Sequence, residues 1–231
     1  MTLVTYHIEA DHQGKLRESV KIACNFWNRF VKPVKPLVIR LGVFDVYGNT
    51  IASACRPYGR DGVQYGKVGF NKRFIETFSE ENIASVLVHE IGHTLGIGWS
   101  VWLQMFSHGT GKFKSAWVKK FPELANMKAE TAYGPGTTLV HWDEELFPHA
   151  MMSGLKSGNE VVLPITIDIM EAFGHTILER LTSKTSLSKL MQEANEIPFS
   201  RTGDAKKIDR AVFVATEIWE EIYDNTKQPL K

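Results

Sequence analysis

His89 and His93 stand four residues apart in the stretch HEIGH, and Glu90 follows the first of them directly. On a helix, that spacing sends both imidazoles from one face, one turn above the other. Two ring nitrogens so placed can meet one ion at ~2.0–2.1 Å, the length of a zinc–nitrogen bond. Glu90, one step round the helix, stands beside such an ion without facing it. A carboxylate there can take the proton of an attacking water and pass it to a leaving amine. Five residues of this kind also arise by chance. This copy gains weight from its helix, whose apolar stripe (Ile83, Val86, Leu87, Ile91, Leu95) lies opposite the histidines.

A hydrolytic zinc site needs three protein ligands and an open position for water. Gly96 follows His93 by three residues, as in the longer pattern H-E-x-x-H-x-x-G-x-x-H, where a third histidine completes the set. Here that last position is Trp99, and an indole N–H donates hydrogen bonds but binds no zinc. Four histidines remain downstream: His108 in the polar loop SHGTG, His141, His149 and His175. His7, His12 and His175 have no motif around them.

The surroundings of His141, GPGTTLVHWDEELFPHAMMSG, resemble the leishmanolysin-like metzincins. In that family an insertion separates the helix glycine from a third histidine set in G-x-G-T-x-L-x-H-W-[DE], and a Met-turn follows. Gly134, Gly136, Thr137, Leu139, His141, Trp142 and Asp143 appear here in that order, with Met152 eleven residues past His141. The resemblance implies a metzincin-like zincin fold and one catalytic Zn2+ held by His89, His93 and His141. It also implies Glu90 as general base and Met152 as a non-ligating floor beneath the imidazoles. The function implied is a zinc-dependent metalloendopeptidase acting on protein or peptide substrates. The alternative is a catalytically silent zinc-binding relative. Position 154, where some metzincins carry a tyrosine ligand, is glycine. Tyr133 is close in sequence to the motif, but nothing beyond that proximity supports it as an oxyanion donor.

The elements around these residues read as α+β: an α/β sandwich upper half with a mixed twisted sheet and the active-site helix, then a mostly helical and irregular lower half. Leu16, Val20, Ala23, Trp27 and Phe30 recur at helical spacing. LVIRLGVFD (Leu37 to Asp45) reads as a buried strand and TIASAC as a second one. QYGKVGFN (Gln64 to Asn71) carries two glycines and suits an edge strand; Tyr65, Gly66, Val68 and Gly69 are expected to form the rim on which a peptide substrate adds as a strand. Ser79 reads as the N-cap of the HEIGH helix, with Glu80 and Glu81 in its first turn and Gly96 at its end. Further helices are expected around Phe113, Trp117 and Phe121, ending at Pro122, and over ITIDIMEAF, ending at Gly174. Two amphipathic stretches follow, near Ser186 to Asn195 and Asp204 to Asp224. The division expected is a catalytic domain over 1–177 (upper half 1–98, insertion 99–133, lower half 134–177) and a packed helical extension over 178–231.

Composition narrows the partners. The 231 residues carry 27 basic and 26 acidic side chains, a net charge of +1, so no electrostatic footprint points to nucleic acid. No segment has the length and apolarity of a membrane span or the form of a signal peptide. The expectation is a cytoplasmic monomer, with non-classical export left open. Cys24 and Cys55 are expected to be buried free thiols.

Overall fold

The computed structural model describes residues 3–134 and 136–196. In chain order, the upper half comprises β1 (Val4–Ile8), α1 (Leu16–Phe30), β2 (Val31–Lys32), β3 (Leu37–Phe44), β4 (Ala52–Ala54), β5 (Tyr58–Arg60), β6 (Val63–Asn71), α2 (Lys72–Thr77) and α3 (Glu80–Leu95). The main sheet runs β1-β3-β6-β4, with β5 also on β6. β3 lies parallel to both β1 and β6, whereas β4 and β5 run antiparallel to β6. A strand flanked by parallel neighbours is covered on both faces, which is why β3 reads as an apolar run broken only by the buried Arg40. The architecture is α+β around a mixed sheet.

The expected stripe of α1 is fully buried, and the Trp27 indole donates to the Val88 carbonyl of α3 at 2.8 Å. That bond pins the two helices together beneath the sheet. α3 starts and stops where its sequence dictates: the Ser79 hydroxyl accepts from the Asn82 amide at 3.2 Å, and Gly96 takes φ 135°. A side chain at Gly96 would stand 2.7 Å from the Phe173 ring.

The edge strand expected at Gln64 to Asn71 is instead an inner strand. β6 is paired on both sides, and the outer position belongs to β4. The glycines that suggested an edge have a different cause. A Cβ on Gly66 would come within 2.6 Å of the Thr94 side chain, so the missing side chain is what lets α3 lie close on the sheet. β1 and β5 were not anticipated.

The described chain after α3 is built from short pieces: α4 (Ser100–Gln104), α5 (Ser115–Lys120), a 3-10 turn (Pro122–Asn126), β7 (Val161–Val162), α6 (Pro164–Asp168), a second 3-10 turn (Ile169–Phe173), β8 (Thr176–Ile177), β9 (Thr185–Ser186) and α7 (Leu187–Glu196). Phe113 lies before α5 rather than on it, and joins Trp102, Phe106 and Trp142 in a ring cluster with centroids 4.9–5.9 Å apart. The expected helix over ITIDIMEAF divides into α6 and the 3-10 turn, and Gly174 ends it at φ 91°. β8 pairs with β2, β9 pairs with β7, and α7 packs on α1, where Arg29 reaches Glu193 at 2.7 Å. The second amphipathic stretch, Asp204 to Asp224, lies outside the described residues. Among the described residues no helix is long and apolar enough to cross a membrane. Cys24 is buried as expected, Cys55 is only partly buried, and both are free.

Candidate metal centre

α3 carries His89 and His93 on successive turns, and both face the loop that brings in His141. The three Nε2 atoms form a near-equilateral triangle with sides of 3.0 Å (His89–His93), 3.1 Å (His89–His141) and 3.2 Å (His93–His141). Among the described residues, this is the one cluster of potential metal-ligating side chains.

Each ring is fixed from behind. His89 Nδ1 lies 2.8 Å from the Met151 carbonyl, His93 Nδ1 3.0 Å from the Ile97 carbonyl, and His141 Nδ1 3.0 Å from the Thr137 carbonyl. A carbonyl only accepts, so every Nδ1 must carry the proton and every Nε2 must present its lone pair inward. Three lone pairs then face one another across about 3 Å with no hydrogen between them, which is repulsive unless a cation sits among them. Protonation is a poor remedy. Burial pushes the His141 pKa down to about 3, burial and its two neighbours hold His93 well below the ordinary value, and burial lowers His89. For a tetrahedral ion with bonds of ~2.0–2.1 Å, ligand atoms stand about 3.3–3.4 Å apart. The triangle is slightly tighter and fits that demand. Imidazole suits zinc, copper, iron and nickel alike, so the donor set by itself does not choose the metal.

Met152 is fully buried under α3. A Cβ on Gly92 would meet its sulfur at 2.7 Å and the Trp27 ring at 3.2 Å, so the glycine of HEIGH is the gap through which the methionine reaches the helix. The Met152 carbonyl accepts from the Trp142 amide at 3.0 Å, tying this turn to the residue after His141. At Gly154 a side chain would run into Thr137 at 2.4 Å and stand 3.3 Å from His141 Nδ1.

The His141 loop is held under strain. Leu139 adopts φ 68°, uncommon for a bulky residue. Its amide donates to the Glu130 carbonyl at 2.7 Å and its carbonyl accepts the Trp102 indole at 2.7 Å. The buried Glu130 carboxylate accepts from the amides of Thr131 at 2.7 Å and Glu144 at 2.9 Å, and the Glu144 carboxylate accepts from Leu155 at 2.9 Å. These two acids brace the loop and the turn below it. Neither announces itself in the sequence, because the bond from Glu144 to Glu130 and the bond from Leu155 to Glu144 each join residues more than ten positions apart.

Of the other histidines, His108 is exposed and bonded to Leu103, and His149 is exposed, so neither joins the triangle. His175 proves structural: its Nε2 lies 2.6 Å from the Leu95 carbonyl at the end of α3. Tyr133 is exposed.

The triangle opens into a cleft of about 490 Å³. Glu90, 6% exposed, lines it beside the histidines. Burial alone pushes its pKa up to about 8, and a bound cation would draw it down again. Ala52 to Ala54 of β4 form one wall, while Ser85, Lys156 and Glu160 line it too. Tyr65, Gly66, Val68 and Gly69 do not line the cleft, because β6 lies behind β4. What the structure assembles is a three-imidazole cluster that could hold a metal ion, with a carboxylate at its side and an open approach. Compared with known protein families and with curated proteins, the chain has no match.

Proposed function

We propose that the protein is a zinc-dependent metalloendopeptidase of the metzincin type, related to the leishmanolysin-like branch. The observation that carries this reading is the convergence of three unprotonated imidazole nitrogens beside a cleft-lining carboxylate. The order of the motifs around Gly96, His141 and Met152 adds the family.

His89, His93 and His141 would hold the ion, each oriented by a backbone carbonyl behind it. Zinc bound there supplies Lewis acidity, lowering the pKa of water towards ~7 and polarising the scissile carbonyl. Glu90 accepts the proton of the attacking water at its carboxylate and delivers it to the departing amine nitrogen. Its place in the cleft wall beside the three histidines suits it to hold that proton between the two transfers.

β4 takes the role that the sequence suggested for β6. The amide of Cys55 donates inward to Lys67, and the carbonyl of Ile51 accepts inward from Asn71. Alternation along the strand therefore turns the N–H groups of Ala52 and Ala54 towards the cleft. An extended peptide can pair with that free edge through its main chain, which binds substrate with little regard for sequence.

The test is to assay zinc by elemental analysis and to map cleavage sites proteomically for the parent protein and Glu90→Ala. The parent should bind one zinc and cut; Glu90→Ala should keep the zinc and lose about 10²–10⁴-fold in kcat/KM. A Glu90→Ala protein as active as its parent would overturn the general-base role. A parent that binds no metal would overturn the whole reading.

A further inference from the structure

One side of the cleft carries a charged group that the proposed chemistry does not use. Lys156 Nζ donates to the Ser85 hydroxyl at 2.6 Å and lies 3.3 Å from the Glu160 carboxylate. The Lys156 and Glu160 side chains are 15% and 13% exposed, and both line the cleft. Ser85 is already committed, since its hydroxyl donates to the Asn82 carbonyl at 2.9 Å. The same Glu160 oxygen also accepts from the amides of Ser157 at 3.0 Å and Gly158 at 2.9 Å, so its charge is spread over three donors.

An ammonium has three N–H donors, and two are spent here on Ser85 and Glu160. The third has no acceptor among the described residues, in a wall that is mostly buried. Ser85 precedes His89 by four residues on α3, about 6 Å along the helix axis. That distance is about two residues of an extended chain, within the reach of a side chain beside the cleaved bond. A side chain entering this end displaces water from Lys156. If it brings an oxygen, the last N–H is satisfied. If it is apolar, the ammonium loses its water and gains nothing. A second ammonium meets like charge.

We propose that Lys156 makes the cleft select a substrate residue ending in an acceptor oxygen, a carboxamide or a carboxylate, next to the bond to be cut. This rests on the peptidase reading above and adds a specificity-determining residue to it. Lys156 touches the substrate side chain and takes no part in the proton transfers.

The test uses blocked alanine hexapeptides with Gln, Glu, Leu or Lys at one central position. Calorimetry measures their binding to the zinc-loaded Glu90→Ala protein, and mass spectrometry measures their cleavage by the Glu90-containing protein. The Gln and Glu peptides should bind and be cut about tenfold better than the Leu and Lys peptides. The order of Gln and Glu separates the carboxamide from the carboxylate. Lys156→Met should raise Leu to the level of Gln or above it, and Lys156→Arg should keep the parent's order. A parent that favours Leu or Lys, or that binds none of the four peptides at millimolar concentration, overturns the proposal. So does a Lys156→Met protein with normal zinc content and melting temperature whose order is unchanged, since Lys156 would then be only a tie between α3 and the loop. The two readings fail separately: ranked binding without cleavage removes the peptidase, and cleavage without ranking removes the role of Lys156.

Discussion

Gly92→Ala is the smallest change that tests how the metal site is supported. The new methyl would sit 2.7 Å from the Met152 sulfur, 3.3 Å from its terminal methyl and 3.2 Å from the Trp27 ring. Both neighbours are fully buried, so neither can swing into solvent. Replacing a mid-helix glycine with alanine gains about 1 kcal/mol of helix propensity. Crowding a packed core costs about 1–3 kcal/mol. The balance lies between no change and a loss of about 2 kcal/mol, a fall in Tm of up to about 8 °C for a chain of this length. Metal binding should suffer more. The displaced methionine belongs to the turn whose Met151 carbonyl fixes His89 and whose Met152 carbonyl holds Trp142, next to His141. Disturbing such supports weakens metal affinity about 10–100-fold. Zinc competition against a chelator gives the affinity, and differential scanning fluorimetry of the metal-free protein gives the Tm. Gly109→Ala is the control, since nothing lies within 4 Å of its new methyl. In Gly92→Ala/Met152→Ala the methyl enters space the methionine has left, so the double variant should lose less stability than the two single losses summed. A Gly92→Ala protein with the parent's zinc affinity, or singles that simply add, would refute the argument.

His141→Ala should abolish tight zinc binding, whereas His108→Ala and His149→Ala should leave it intact; elemental analysis after dialysis reads the difference, and retention of zinc by His141→Ala would remove it from the ligand set. Ala54→Pro deletes a cleft-facing N–H without touching the bonds to β6, so KM for peptides should rise several-fold while zinc content stays constant; an unchanged KM would exclude pairing on β4. The metal-free protein should lose stability on acidification. His141 has a folded pKa of about 3 against 6.5 unfolded, so the unfolded chain binds more protons between those values. The stability present above pH 6.5 is therefore lost as pH falls towards 3, by up to about 1.4 kcal/mol per pH unit from this histidine. Urea midpoints at pH 7 and pH 5 read it, and equal midpoints would contradict the burial of a neutral ring.

The parts of this protein that the sequence discloses are those whose cause is local. A four-residue spacing places His89 and His93 on one helical face, Ser79 caps that helix, and Gly96 ends it; each acts within one turn of itself. His141 is different, since nothing in its spacing from His93 carries it to the triangle, and only the surrounding motif picked it out from His108 and His149. The bonds that tie Glu130 to Glu144, Glu144 to Leu155 and Lys156 to Ser85 were invisible because packing alone brings those partners together. The misplacement of the edge strand has the same origin. Glycine in a strand signals either a free edge or a close approach, and the Thr94 methyl that decides between them at Gly66 lies 28 residues further on, one residue past His93. The same contact therefore seats α3 against the sheet and sets the height of the imidazoles beside β4. A glycine that weakens β6 in isolation is what brings the histidine triangle and the outer strand edge into one cleft.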